Sequence, residues 1–501
     1  MLFTLFIVLV LGVLGLFILV LFILLVLIIV LLLVLIVILI VAHWSSPPCL
    51  QVVFTYCFIL YVIMEKFFER MKSLLGDEYE SFLKFYNSGK VYRGLRVNTL
   101  KCSADKLGEL LDFELVNTPF CKDGFYIPDT VESIGNSPLH HAGAFYVQEP
   151  SATSAVEMLG VKEGDRVLDL CAAPGGKSTQ IAAKLNNKGL LWSNEIVKSR
   201  SIILLSNIER MGIRNAVVSN CRPDALCDKL RGYFDKVLVD APCSGEGMFR
   251  KNNEAQSEWS VEHVKSCAAR QLNILNSAKN ALRENGELVY STCTFSEEEN
   301  EGVITEFLKE NPEFELVDCG VGFGRPTLDY ARRIFPMDGG EGHFAAKLRK
   351  TSPSVSVPTV KPDTKAPDIA FEFYKSCFLN QPFGDNLAVD RNNIFVIPDN
   401  LPDTRGLNIL RKGVLLGELK KNRVEPHHHA FMCVKPENCV NYVDLDVNSV
   451  EIKKFLHGEE IDVAKDIKGY TAVCVNGITT GFGKASGGKL KNKYPKGLRT
   501  L

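Results

Sequence analysis

RVLDLCAAPGGKSTQIAAKL, residues 166–185, is the stretch on which the fold of this chain turns. A short apolar run ends at Asp169-Leu170, and CAAPGGK (171–177) follows it as a turn. KSTQIAAKL then reads as a helix. Strand, glycine turn and helix form the unit from which parallel sheets are wound. The unit repeats toward the C-terminus. LLWSNE (190–195) precedes SRSIILLSNIERMG, KVLVD (236–240) follows a loop, and a long helix over 262–284 leads into GELVYSTCTF (286–295). Short apolar runs alternating with helices over 161–349 predict an α/β, doubly wound Rossmann-like sheet.

In such a sheet, ligands bind at the carboxyl ends of the strands. Gly175 and Gly176 let the turn backbone approach a ligand, and the next helix offers free N–H groups. The turn 171–177 (Cys171, Ala172, Ala173, Pro174, Gly175, Gly176, Lys177) matches neither GxGxxG nor a Walker loop, so a phosphate cradle is not expected. Glu195 ends the second strand, where a carboxylate is placed to accept both hydrogen bonds of a ribose diol. Standing alone, it reads equally well as an exposed acid on a loop. Together, turn and acid suit an adenosine-bearing cofactor without a pyrophosphate, and S-adenosylmethionine fits better than NAD.

Asp240 ends the fourth strand, and Pro242-Cys243 follow within VLVDAPCSGEGMFRK (237–251). Cys293 lies just past the next strand in STCTF (291–295). One cysteine at a strand end is usually packing. Two on successive strands, one after Asp-Ala-Pro, predict thiols and carboxylate on one rim. A thiol beside a methyl donor suits a pyrimidine, whose carbon 5 is a poor nucleophile until a thiolate adds at carbon 6. A second group must then help remove the carbon-5 proton. Few thiols ionise at neutral pH, and Lys177 is the nearby cation expected to raise that share.

Outside this core the composition shifts. Residues 1–42 contain one polar side chain, Thr4, and no charge precedes Glu65. A helix of that length would reach about 63 Å, roughly twice the hydrocarbon thickness. Two readings of the apolar segment 1–63 stand: a transmembrane anchor, or a misplaced start with Met64 as the true initiator. MEKFFERMKSLLGDEYESFLKFY (64–86) opens as an ordinary amphipathic helix. Residues 64–160 mix helix and strand, with a helix capped by Ser151 after Pro150. Residues 350–370 carry four prolines and read as a linker, and 371–501 as a separate C-terminal α+β domain.

The net charge of -1 says nothing about partners, yet residues 484–499 carry six Lys or Arg and no acid follows Lys468. That tail and RKGVLLGELKKNR (411–423) are expected to hold a nucleic-acid backbone, and Phe249, Arg250 and Lys251, directly after Cys243, to line the channel for RNA. Fifteen scattered cysteines without a Cys-x-x-Cys pair exclude a disulfide framework and fit a reducing compartment. Cys433 and Cys439 near His427, His428 and His429 match no standard finger, so no metal is expected.

LDLCAAPGGKSTQ, VDAPCSGEGMFRK and STCTF together resemble the RNA (cytosine-5) methyltransferases of the Sun/RsmB-RsmF family. RGLRVNTLK (93–101) and FYVQEPSA (145–152) resemble the N-terminal part of those enzymes. GVLLGELKKNRVEPHHHA (413–430) and GFGKASGGKLKNKYPKGLR (481–499) resemble the C-terminal PUA-like RNA-binding domain of the RsmF branch in its Gram-positive form. The resemblance implies S-adenosylmethionine as cofactor and RNA as partner: 16S ribosomal RNA or the small subunit first, tRNA second. It implies that Cys293 attacks the base and Cys243 assists release. Asp240 would sit between the methionine end of the cofactor and the cytosine, with Glu195 and Arg200 also on the cofactor. The chain departs from the family pattern in NCRPDAL (220–226), where Cys221 stands about where an acid near the adenine is usual. Asn220 or Asp224 would take that contact. A monomer in the cytoplasm is expected, membrane-associated only if 1–63 is translated. The competing class is a catalytically silent ribosome-assembly factor that binds RNA.

Overall fold

The computed structural model describes residues 34, 62–360, 366–399 and 401–500. The chain divides into two units at Leu74/Leu75. In the first, the described residues from 62 onward are helical. The anchor reading falls on residues 1–63, nearly all outside the described residues. Among those described, no helix is long and apolar enough to cross a membrane.

After a helix at Tyr79–Tyr86, the second unit forms a four-stranded sheet of β1 (Gly94–Val97), β2 (Val116–Thr118), β3 (Cys121–Tyr126) and β4 (Phe145–Val147), ordered β2-β3-β1-β4. The helix after it, α1 (Ser154–Leu159), is not capped by Ser151. The residues before it form a 3-10 turn, Pro150–Thr153, in which Glu149 is the cap and accepts from the Ser151 and Ala152 N–H groups. A carboxylate at that end also answers the positive pole of the turn, which a serine hydroxyl does only weakly.

The central sheet follows. Its parallel strands are β5 (Arg166–Asp169), β6 (Leu190–Asn194), β7 (Ala216–Ser219), β8 (Phe234–Asp240) and β9 (Leu282–Thr292). They alternate with α2 (Gly176–Leu185), α3 (Lys198–Arg210), α4 (Pro223–Lys229) and α5 (Val261–Ala281). β9 begins four residues before the expected Gly286, because Phe234 of β8 already pairs Leu282. Beyond β9 come β10 (Phe314–Leu316), β11 (Arg325–Thr327), β12 (Ala331–Ile334) and β13 (His343–Lys350). β13 runs antiparallel to β9, so its first residue, His343, arrives at the carboxyl end of the sheet. The strand order is β11-β12-β13-β9-β8-β5-β6-β7-β16, the last being Ile409–Lys412, with direction of winding reversing at β5. The strands are buried on both faces: Leu168, Trp192, Val217, Val237 and Leu288 on one and Val167, Leu191, Val218, Leu238 and Val289 on the other are all 0% exposed.

The segment 371–501 holds two sheets and gives a strand to a third. β14 (Leu387–Asp390), β15 (Asn393–Val396), β17 (Val414–Lys420) and β18 (Arg423–Pro426) form one sheet. β16 (Ile409–Lys412) instead pairs antiparallel with β7 at the edge of the central sheet. β19 (Tyr442–Leu445), β20 (Ile461–Asp462), β21 (Gly469–Val475), β22 (Ile478–Ser486) and β23 (Lys489–Asn492) form the last sheet. Thr359 in the proline-rich stretch bridges Pro402.

Four residues expected to meet nucleic acid, Arg411, Phe249, Arg250 and Lys251, are engaged inside the protein. Arg411 is 6% exposed, bonded to Glu209 and His429. Phe249 is buried edge-to-face on Trp259. Arg250 makes two bonds to the buried Glu341, at 3.0 and 2.9 Å, and its guanidinium lies over the Phe85 and Tyr86 rings. Lys251 donates to the Tyr92 carbonyl. Removing one member of a buried pair strands the other, at a cost of about 3–5 kcal/mol. Arg250→Ala is therefore expected to lower the melting temperature markedly. A variant that melts like the parent but binds RNA weakly would restore the surface reading.

Candidate active site

The reversal of winding at β5 opens a crevice at the carboxyl ends of β5, β6 and β8. Three carboxylates stand there, Asp169, Glu195 and Asp240. Asp169 is fully buried and accepts from Ser178 Oγ at 2.7 Å through one oxygen, while its Oδ1 has no partner. Burial pushes its pKa up to about 7. Glu195, 3% exposed, accepts from the Val197 N–H at 2.8 Å. Arg200 approaches Glu195 at 3.6 Å and donates to the Ala173 carbonyl at 2.7 Å, tying the end of β6 to the turn. Gly175 has φ +117, in the left-handed region where a side chain is strained, and a Cβ there would press Leu204 at 3.3 Å. Asn220 spends its side-chain amide on the Glu195 and Ile196 carbonyls, at 2.7 and 2.9 Å. Asp224 is exposed and paired with Arg222.

The donor set suits S-adenosylmethionine. Three acids in one crevice would repel a pyrophosphate. They suit a cationic sulfonium and a diol that donates hydrogen bonds, and the unpartnered Asp169 oxygen is an acceptor still waiting for a donor.

The thiols lie one step along the same edge. β8 and β9 pair in parallel with Asp240 beside Ser291. Both strands therefore end together, and Cys243 and Cys293 emerge side by side. Their sulfurs are 3.2 Å apart, and the Cys293 N–H points at Cys243 Sγ from 3.4 Å. The hydrogen bond with Cys293, then burial, pushes the Cys243 thiol well above its ordinary range. Cys243 keeps its proton because two adjacent sulfurs resist carrying two negative charges.

Lys177, from the turn, meets Asp240 at 2.8 Å. Ser291 Oγ donates to the other Asp240 oxygen at 2.8 Å. Burial opposes the Asp240 charge, but Lys177 and its hydrogen bond outweigh it and hold the carboxyl below its usual range. Burial likewise opposes the Lys177 charge, and Asp240 outweighs it and holds the ammonium above its usual range.

Several residues at this site escaped the reading of the sequence. His343 is 2% exposed, 3.9 Å from Asp240, with neither ring nitrogen hydrogen-bonded. Burial and then Lys177 push its pKa down to about 3, so the ring is neutral. Glu246 accepts from Trp259 Nε1 and from the Phe295 N–H, both at 2.9 Å, and so ties one cysteine loop to the other. Glu299 accepts from the Ser244 N–H at 3.0 Å and from Gln271 at 2.7 Å. The signal was present: Glu246 sits three residues past Cys243, and Glu299 six past Cys293.

Burial raises Glu299 from 4.5 to about 7. Its folded pKa exceeds the unfolded one, so its contribution to stability is full below pH 4.5 and lost as pH rises through 7. The span amounts to about 3 kcal/mol. Glu299→Gln is expected to show a smaller fall in melting temperature between pH 5 and pH 8 than the parent. Equal falls would contradict the buried-acid account.

Fold and site together define an S-adenosylmethionine-dependent methyltransferase. Residues 156–349 match the family model for 16S rRNA methyltransferase RsmB/F. Residues 63–150 match the N-terminal domain of 16S rRNA methyltransferase RsmF, 372–433 its first C-terminal domain and 442–500 its PUA domain. The chain belongs to the RsmB/F 16S rRNA methyltransferase family. It is 34% identical over 461 residues to ribosomal RNA small subunit methyltransferase F of Vibrio vulnificus strain YJ016, covering 87% of this chain and 97% of that protein. The same-named protein of Shewanella sp. strain MR-4 is 33% identical over 446 residues, covering 81% and 90%. A methyltransferase homolog protein from Pyrococcus horikoshii superposes with TM-score 0.52 at 29% identity, over 61% of this chain and 100% of that one. NSun6 from Pyrococcus horikoshii, with SFG, shares the fold at TM-score 0.51 and 24% identity, over 57% and 97%.

Proposed function

We propose that this chain methylates carbon 5 of a cytosine in 16S ribosomal RNA, with Cys293 as nucleophile and Cys243 as the group that assists release. The observation that carries the mechanism is the pair of sulfurs 3.2 Å apart at the strand ends beside the Lys177–Asp240 ion pair. Bound S-adenosylmethionine supplies the methyl group. Residues 171–177, Glu195 and Arg200 hold it, and Asn220 acts there through the backbone that it braces. Cys293 sulfur bonds to carbon 6 of the base, and the ring electrons move to carbon 5. Lys177 holds its positive charge near the attacking sulfur. Asp240, fixed between Lys177 and Ser291, presents a charged carboxylate to the base. Once Cys293 is bonded to carbon, Cys243 no longer faces a second negative sulfur; it gives its own proton to solvent, and the resulting thiolate takes the carbon-5 proton. The electrons of that C–H bond then restore the double bond and expel Cys293.

The remaining segments are read as follows: 64–160 and 371–501 grip RNA, 161–349 carries the chemistry and 350–370 links them. In the last sheet, Lys484 stands opposite Lys491 on β22 and β23, both exposed. Like charges directly across a strand pair are destabilising, so an exposed pair of lysines favours a polyanion as partner. The enzyme works as a monomer in the cytoplasm. The relatives' names carry the choice of small-subunit RNA. The test offers purified small-subunit RNA, assembled small subunits and tRNA with labelled S-adenosylmethionine, and maps the product by bisulfite sequencing. Label at a cytosine of 16S RNA is expected. Label confined to tRNA would overturn the substrate, and no transfer to any RNA would overturn the activity.

A further inference from the structure

We infer that Cys243 and Cys293 form a reversible oxidation site, at which a peroxide converts the two thiols into an intramolecular disulfide and closes the base pocket. The disulfide rests on geometry alone; its effect on activity rests on the proposed function. A disulfide needs sulfurs at about 2.05 Å, so this pair must close by only about 1.2 Å. The strands already hold the two loops together, through the Asp240–Ser291 register and the Gly247 N–H on the Cys293 carbonyl at 2.9 Å. Access also selects this pair. Ten of the described free cysteines are buried, and only Cys171, Cys243 and Cys293 are partly open. Cys243 lines a cleft of 210 Å³ with Ser244, Met248, Asn252 and His263, ample for a molecule the size of hydrogen peroxide. Lys177 stands near enough to Cys293 for their charges to interact.

The chemistry balances. Cys293 sulfur attacks one peroxide oxygen; the S–O bond forms, the O–O bond breaks and water leaves, giving a sulfenic acid. Cys243 sulfur then displaces that oxygen; the S–S bond forms, the S–O bond breaks and a second water leaves. Two thiols lose two protons and two electrons, and hydrogen peroxide takes up both to become two waters. With both sulfurs consumed, neither the attack on carbon 6 nor the release can occur.

The test treats the reduced full-length chain with hydrogen peroxide, then measures intact mass, peptide cross-links and methyl transfer. The expected result is a loss of about 2 Da and a peptide joining Cys243 to Cys293. Methyl transfer should fall by about tenfold or more and return with dithiothreitol. In Cys243→Ser, dimedone should label Cys293 as a trapped sulfenic acid, whereas the parent should resist labelling. A cross-link elsewhere, a gain of oxygen without cross-link, or equal dimedone labelling of parent and variant would overturn the inference. A chain that forms the cross-link yet transfers no methyl before oxidation would sink the methyltransferase reading and leave the disulfide standing.

Discussion

Replacing Cys293 with alanine is expected to reduce methyl transfer to 16S RNA by about a thousandfold or more. The size of the effect follows from the substrate. Carbon 5 of cytosine has almost no nucleophilic character, and only addition at carbon 6 gives it any. No neighbouring group can supply that addition. Cys243 is held protonated by its neighbour and by burial, and the carboxylate of Asp240 is engaged with Lys177 and Ser291. The substitution removes one half-exposed sulfur at a strand end, so melting temperature and S-adenosylmethionine affinity should stay near those of the parent. Tritiated methyl incorporation, equilibrium cofactor binding and a thermal melt together separate lost chemistry from lost structure. A variant with parental turnover would remove the covalent mechanism, whatever the family.

What the sequence disclosed and what it hid divide along a physical line. The repeating unit that begins at Arg166 was legible because strand length, glycine turn and helix period are local properties. The convergence of Cys243 and Cys293 was also legible, because parallel neighbours that end together place their first loop residues together. The partners of individual charges were not. Arg250 looked like a cation for RNA, but Glu341 lies 91 residues away in sequence and meets it in the fold. Arg411 looked like part of a basic patch, but β16 carries it onto the edge of the central sheet, against Glu209. His343 was invisible for the same reason. It reaches the site only because β13 runs antiparallel to β9, a fact of topology that periodicity does not encode. Charge placement depends on long-range pairing, so composition and local spacing misjudge it most often.

Replacing Cys243 with alanine is expected to do the opposite of replacing Cys293: RNA should stay attached. Attack by Cys293 on carbon 6 does not need the second sulfur. Release does, because Cys293 leaves only when the carbon-5 proton is taken. In the parent, a sulfur 3.2 Å from Cys293 stands ready for that step. In the variant only water remains, and the methylated adduct decays slowly. After incubation with 16S RNA and S-adenosylmethionine, a protein band shifted by bound RNA should persist under denaturing conditions, at about tenfold or more the parental level. Ribonuclease should collapse the band, and labelled methyl should travel with the protein. The double variant Cys243→Ala/Cys293→Ala should give none, which assigns the bond to Cys293. A clean band from the single variant would mean that some other base removes the proton. The neutral ring of His343, 3.9 Å from Asp240, would then be the next group to replace.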